Sequence, residues 1–158
     1  MVRTALFSSC GRFRYRLGRR WGEGPTVAFV LLNPSTADDE RDDPTVRRCV
    51  DFARRLGFGG LEVVNLYAYV ATDPADLRSA GYLVGPENDE HLAAAVRCCE
   101  NVVLAWGVHA GRLARSVEVL QLLRDVAVTP YCLRLTSSGH PEHPLRLPKS
   151  CGLVPFGT

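Results

Sequence analysis

Two asparagines, two histidines and a tryptophan stand where apolar runs of this sequence give way to polar ones. Asn33 opens the knot Asn33-Pro34-Ser35-Thr36 directly after the apolar residues 26–32, and Asn65 interrupts "VVNLYAY". Trp106 closes "VVLAW" ahead of Gly107, while His140 and His143 bracket "GHPEHPL". A side-chain amide carries one acceptor and two donors, enough to hold a water or the edge of a heterocycle. For Asn33 and Pro34 the alternative is a simple turn, and Ser35 and Thr36 equally suit capping of the next segment. Asn65 must satisfy its amide, because an unpaired buried polar group costs about 1–3 kcal/mol. It either clamps backbone or reads a ligand edge. An imidazole exchanges protons near neutral pH, and prolines at 141 and 144 stiffen the loop that carries both histidines, with His143 the first candidate and His140 the second. The same prolines prevent a helical histidine pair and no third ligand is evident, so no metal is expected. Tyr67, Tyr69 and Trp106 are able to stack on a base, with core packing as the alternative, favoured for Trp106.

Charge is distributed unevenly. The net charge is +2, yet the first twenty residues hold Arg3, Arg12, Arg14, Arg16, Arg19 and Arg20 with no acid among them. The planar guanidinium suits phosphate, which makes Arg12, Arg14, Arg16 and, after "WGVHAG", Arg112 candidate phosphate contacts. A solvated hairpin face and an exposed helix face explain the same residues. Asp38, Asp39, Glu40, Asp42 and Asp43 form an acidic cluster in which Asp43, next to Pro44, reads as a helix cap. One of these acids could serve as a general base or hold Mg²⁺, and the sequence does not select it.

These residues need elements to position them. A length of 158 residues fits a single α/β domain over 1–158. Residues 4–9 and 13–18 alternate around Cys10-Gly11-Arg12 and predict a basic amino-terminal hairpin. Four apolar runs, near 26–32, 61–66, 101–106 and 130–135, alternate with helical patterns near 43–57, 86–100 and 109–127. That order predicts a three-layer α/β/α sandwich around a mostly parallel sheet of about four strands, with a tail from 136 that is loop and a short extended end. Ligands of such sheets bind beyond the carboxyl ends of the strands, where all the polar knots fall.

Other classes lose support. The six cysteines have no common zinc spacing and read as reduced thiols. No apolar run is long enough to span a bilayer and the amino terminus lacks a secretory pattern, so a cytoplasmic location without membrane contact is expected. Phosphate-loop, dinucleotide and nucleophile-elbow glycine motifs are missing, and no cofactor is expected.

The segments "LLNPSTADDERDDPTVRRC", "VVNLYAYVATDPADL", "VGPENDEHL", "LAWG" and "GHPEHPL" together resemble a bacterial and phage family, the domain of unknown function numbered sixteen-forty-three. The order of "LNPS", "VVNL", "LAWG" and "HPL" is also similar, more distantly, to the uracil-DNA glycosylase superfamily. That second resemblance implies a glycosylase-like fold and cleavage of the N-glycosidic bond of a damaged or modified base in nucleic acid. It would make Asn33 the residue that positions water, Asn65 the reader of the flipped base, and His143 the donor to the base oxygen. Leu145 stands where the superfamily's final loop has a serine, and an asparagine at 33 cannot take a proton from water. A non-catalytic binder of a nucleotide or modified base in the same pocket is the alternative, and a third reading is a module whose arginines hold nucleic acid without regard to sequence. The partner in each case is nucleic acid or nucleotide, and the oligomeric state is open.

Overall fold

The computed structural model describes residues 1–157. Its seven strands form one mixed sheet: β1 Val2–Phe7, β2 Arg14–Arg20, β3 Thr26–Leu31, β4 Gly60–Asn65, β5 Asn101–Leu104, β6 Tyr131–Cys132 and β7 Val154–Pro155. Their order is β1-β2-β4-β3-β5-β6-β7. The four central strands β4, β3, β5 and β6 are parallel, as the alternation of strand and helix patterns implies. The sheet is larger than the four strands and separate hairpin expected, because β2 joins β4 antiparallel and β7 joins β6 antiparallel. Both apolar faces of the central strands are buried, which is why they read as continuous hydrophobic runs.

Five helices cover the two faces: α1 Pro44–Arg55, α2 Pro74–Ser79, α3 Asn88–Cys98, α4 Gly107–Gly111 and α5 Ala114–Asp125. On one face Val46, Cys49, Val50, Phe52 and Ala53 of α1 pack on Val27, Phe29, Leu61 and Val63. On the other, α3 and α5 supply Leu92, Val96, Val119 and Leu123 against Ala28, Val30 and Val64. Asp43 caps α1, its carboxylate accepting from Val46 N–H at 2.8 Å with Pro44 in the first turn. Asp73 and Pro74 start α2 in the same way.

The single helix expected at 109–127 is broken into α4 and α5, with Leu113 extended between them. The break lies where Gly111 passes the His140 ring so closely that a Cβ on Gly111 would meet Nδ1 at 2.3 Å.

Strand β2 contains a bulge that decides which side chains reach which face. Leu6 and Phe7, consecutive on β1, pair with Arg16 and Arg14, so Tyr15 is an extra residue. Tyr15 stacks on His91 of α3, with ring centroids 4.9 Å apart, and Arg16 bonds Glu62 at 2.7 Å. Arg14 is thereby turned to the opposite face, beside Leu17 and Arg19, where Arg14 and Arg19 reach the segment that joins β3 to α1.

Arg19 anchors that segment. Its Nε donates to Asp42 at 2.8 Å, Nη1 to Gly18 O, and Nη2 to Asp38 O and Arg41 O. The guanidinium is fully buried and Asp42 is mostly so, and removing one partner of such a pair leaves a buried charge without its counterion. Asp42→Ala is expected to lower unfolding stability by about 3 kcal/mol in urea titration, whereas Asp39→Ala, at an exposed position, changes it by less than about 0.5 kcal/mol.

Candidate functional site

A cavity of about 270 Å³ lies beyond the carboxyl ends of β3 and β5. The chain leaves β3 toward β4 and leaves β5 toward β6 on the other side, so this is the point where the direction of strand order reverses. Its volume falls just below that of common small-molecule pockets, which run roughly 300–1,000 Å³. The segment after β3 contributes Asn33, Pro34 and Ser35, and the turn after β4 contributes Ala71 and Thr72. Trp106 follows β5, His143 comes from the loop after β6, and Arg14 and Asp43 close the wall.

Asn33 is held in one orientation. Its Nδ2 donates to Pro34 O at 2.9 Å and to Ala71 O at 2.8 Å, which uses both hydrogens. The nitrogen therefore faces the two carbonyls, and Oδ1 remains as an acceptor. Ser35 Oγ lies 3.3 Å from Thr72 Oγ1 and joins the same two loops.

His143 accepts from Leu145 N–H at Nδ1, 3.2 Å away, and this fixes the proton of the neutral ring on Nε2. Burial lowers its pKa from the ordinary 6.5, and Arg146 lowers it further, against an opposing pull from Asp43. The ring enters neutral solution as an uncharged donor.

Arg14 and Asp43 carry the cavity's two formal charges. Arg14 is 2% exposed. Burial draws its pKa down to about 10, partly offset by the nearby Asp43 carboxylate, so it stays cationic at neutral pH. Among the described residues its side chain makes one hydrogen bond, Nη1 to Ala37 O at 3.0 Å, and Nε is buried without a partner. Asp43 is buried as well, with Oδ1 engaged by Val46 N–H and Oδ2 approached by Ala37 N–H at 3.4 Å.

The remaining candidates are dispersed. Asn65 is wholly buried at the end of β4, in register with the cavity-lining Leu31, and both atoms of its amide lack partners among the described residues. It lies beneath the wall of the cavity rather than on it. Trp106 is 3% exposed with Nε1 unpartnered, and it lines both the cavity and a groove that continues past His143 to Leu145 and Arg146. Tyr67 is buried on the other face of the sheet against Tyr82, and Tyr69 packs against the same core. His140 packs on Gly111 and is not part of the cavity wall.

The arginines do not form one open surface. Arg14 is in the cavity wall and Arg19 in its own cage of acceptors, while Arg16 is bonded to Glu62. Arg20 donates to Gly22 O and Thr26 Oγ1, which leaves Arg3, Arg12 and Arg112 exposed at separate places in the chain. Arg115 is buried and holds Leu66 O, Asp89 and Glu118. The acidic cluster is likewise divided among capping, the Arg19 pair and solvent. No group of three or more His, Cys, Asp or Glu among the described residues is arranged to hold a metal ion. No helix among them is long and apolar enough to cross a membrane.

Asp43 as part of the cavity, and Arg14 as an interior cation, escape a reading of the sequence alone. The Asp-Pro pair signals the cap, but only the packing of α1 beside β3 puts that cap on the cavity.

The model of a family described as "Protein of unknown function (DUF1643)" matches residues 14–145. The chain belongs to this family, and the matched span runs from Arg14 to just past His143, taking in the whole cavity wall. No curated protein and no solved structure matches it.

The lowered pKa of His143 has a consequence for stability. Its imidazole binds a proton more readily in the unfolded chain than in the folded one, so stability is full above about pH 6.5 and falls as the pH drops toward the depressed folded value. In proton NMR the His143 resonance is expected to titrate below 6.5, and His143→Asn should flatten the decline of stability over that window; a titration at or above 6.5 contradicts the assignment.

Proposed function

We propose that the protein acts on a nucleobase and hydrolyses its N-glycosidic bond in a nucleotide or nucleic acid. One observation carries the reading: a fixed acceptor on Asn33, an uncharged imidazole donor on His143 and a carboxylate on Asp43 border a single cavity sized for one heterocycle. The distant resemblance to glycosylases in the order of "LNPS", "VVNL", "LAWG" and "HPL" supports it.

In this reaction water adds at the anomeric carbon and the bond to the base breaks with its electron pair going to the base. His143 Nε2–H donates to the base oxygen on which negative charge grows, a role for which a preorganised donor is suited. Asn33 Oδ1 accepts from the attacking water and orients it, and because an amide cannot take the water's proton, that proton passes to Asp43. Trp106 covers one side of the base, and the groove beyond it leaves room for sugar and backbone. Asn65 does not line the cavity and touches no base in this reading; it supports the cavity-lining Leu31, its register partner. An extended duplex is not needed for any of these contacts, but a base in a helix has to leave its stack first.

Protein in excess over labelled oligonucleotides bearing uracil, hypoxanthine, xanthine or hydroxymethyluracil should generate abasic sites. Asn33→Ala is expected to slow this at least roughly ten-fold, and Asp43→Asn, which retains a capping oxygen, about a hundred-fold. Base binding without product in a single turnover would instead establish a non-catalytic receptor, the reading favoured by an amide at position 33 in place of a carboxylate. Cleavage unaltered in both variants removes the proposed machinery.

A further inference from the structure

The described sheet has two outer strands of unequal length: β7 has two residues, while β1 has six. β1 pairs with β2 alone, and none of its residues belongs to either half of the core. Val2 is 65% exposed, Leu6 42% and Phe7 37%. An edge strand in a protein that stays single is commonly blunted by lysine, proline, a bulge or shortness. The run Val2-Arg3-Thr4-Ala5-Leu6-Phe7 carries one charge and no proline, and the extra residue of the hairpin sits on β2. β1 therefore presents a regular, mostly apolar edge.

The direction of its backbone groups follows from the hairpin. Ser8 N–H donates to Phe13 O at 2.8 Å, toward β2. Groups alternate along an antiparallel strand, so Leu6, Thr4 and Val2 also bond inward, and Arg3, Ala5 and Phe7 turn N–H and C=O outward.

A second copy of the same strand complements this edge. With two β1 strands antiparallel about a two-fold axis at Thr4, Val2 lies opposite Leu6, Arg3 opposite Ala5, and Thr4 opposite its own counterpart. Met1, just before the strand, comes opposite Phe7. Exposed apolar side chains thus meet one another, and the long Arg3 side chain meets a small residue. The outward groups of Arg3 and Ala5 face each other across the axis, so each such pair exchanges both of its hydrogen bonds. An axis at Arg3 would oppose two guanidinium groups. An axis at Ala5 would set Leu6 against Thr4 and Phe7 against Arg3.

We infer that β1 is a dimerisation strand, on which a second copy of this chain pairs antiparallel about Thr4 and continues the sheet. The contact is isologous, each copy giving and receiving the same residues. It is independent of the reaction proposed above, because β1 lines no part of the cavity.

Sedimentation velocity of the full chain from roughly 1 to 100 μM, a range suited to a small interface, tests the inference. The unaltered chain is expected to shift from monomer to dimer as concentration rises. Val2→Lys/Leu6→Lys opposes like charges at both ends of the pairing and should weaken the dimer at least roughly ten-fold. Val2→Lys/Leu6→Glu opposes unlike charges at the same places, and should dimerise at least roughly ten-fold more tightly than the first variant. Neither residue packs in the core, so both variants keep the native circular dichroism spectrum. An unaltered chain that stays monomeric throughout overturns the inference, whatever the variants do. A dimer undiminished in Val2→Lys/Leu6→Lys, or equal dimerisation of the two variants, overturns it as well, since the contact would then lie elsewhere.

Discussion

The segment between β3 and α1 depends on the guanidinium of Arg19. Within residues 34–43 one backbone-to-backbone hydrogen bond closes the chain on itself, Asp38 N–H to Arg41 O. The carbonyls of Asp38 and Arg41 and the carboxylate of Asp42 all converge on Arg19 instead. A buried backbone carbonyl without a partner is costly, and an arginine supplies five donors in a rigid plane. The irregular path of this segment is thus fixed from the neighbouring strand. The position of Asp43 depends on it in turn, because the same segment delivers that residue to the first turn of α1 and to the cavity wall.

Strand β2 consequently serves the site twice from one face. Arg19 holds the segment's far half and Arg14 reaches Ala37 O nearer the cavity. Ordinary alternation from Leu17 would place Tyr15 on this face and Arg14 on the other. The extra residue at Tyr15 exchanges them, sending the aromatic ring to His91 and the cation to the cavity. A local irregularity in pairing is in this way converted into the charge of a site some distance along the sheet, which is a common use of bulges.

Much of the framework is legible in the sequence for simple reasons. Apolar runs buried on both faces reveal central parallel strands, and Asp43-Pro44 announces the start of α1. The polar knots after β3 and β5 and in the loop of His143 do border one cavity. The identical Asp73-Pro74 signal does not stand out, because the helix it starts is six residues long, too short for periodicity to show. The break between α4 and α5 coincides with the close approach of His140 to Gly111, a contact between segments far apart in sequence that no local pattern reveals. Neither the bulge nor the burial of Arg14 leaves a local trace, since "FRYRLGRR" alternates as an exposed hairpin strand would. Six arginines near one end of a chain suggest a basic surface until their individual acceptors are known.

The charges around the cavity also constrain one another. Asp43 spends one oxygen on the cap of α1, where a negative group is favoured by the helix dipole. It therefore keeps its place whether or not Arg14 engages a ligand, and Arg14 is attracted to it while bonding Ala37 O instead. Had the two closed into a direct pair, the guanidinium would have had no edge to offer and the carboxylate no freedom to receive a proton. Arg14 donates to Ala37 O while Ala37 N–H approaches Asp43, so one residue of the segment holds both groups as neighbours without a direct pair. The wall thus carries a cation and an anion side by side, each fixed by backbone groups rather than by the other.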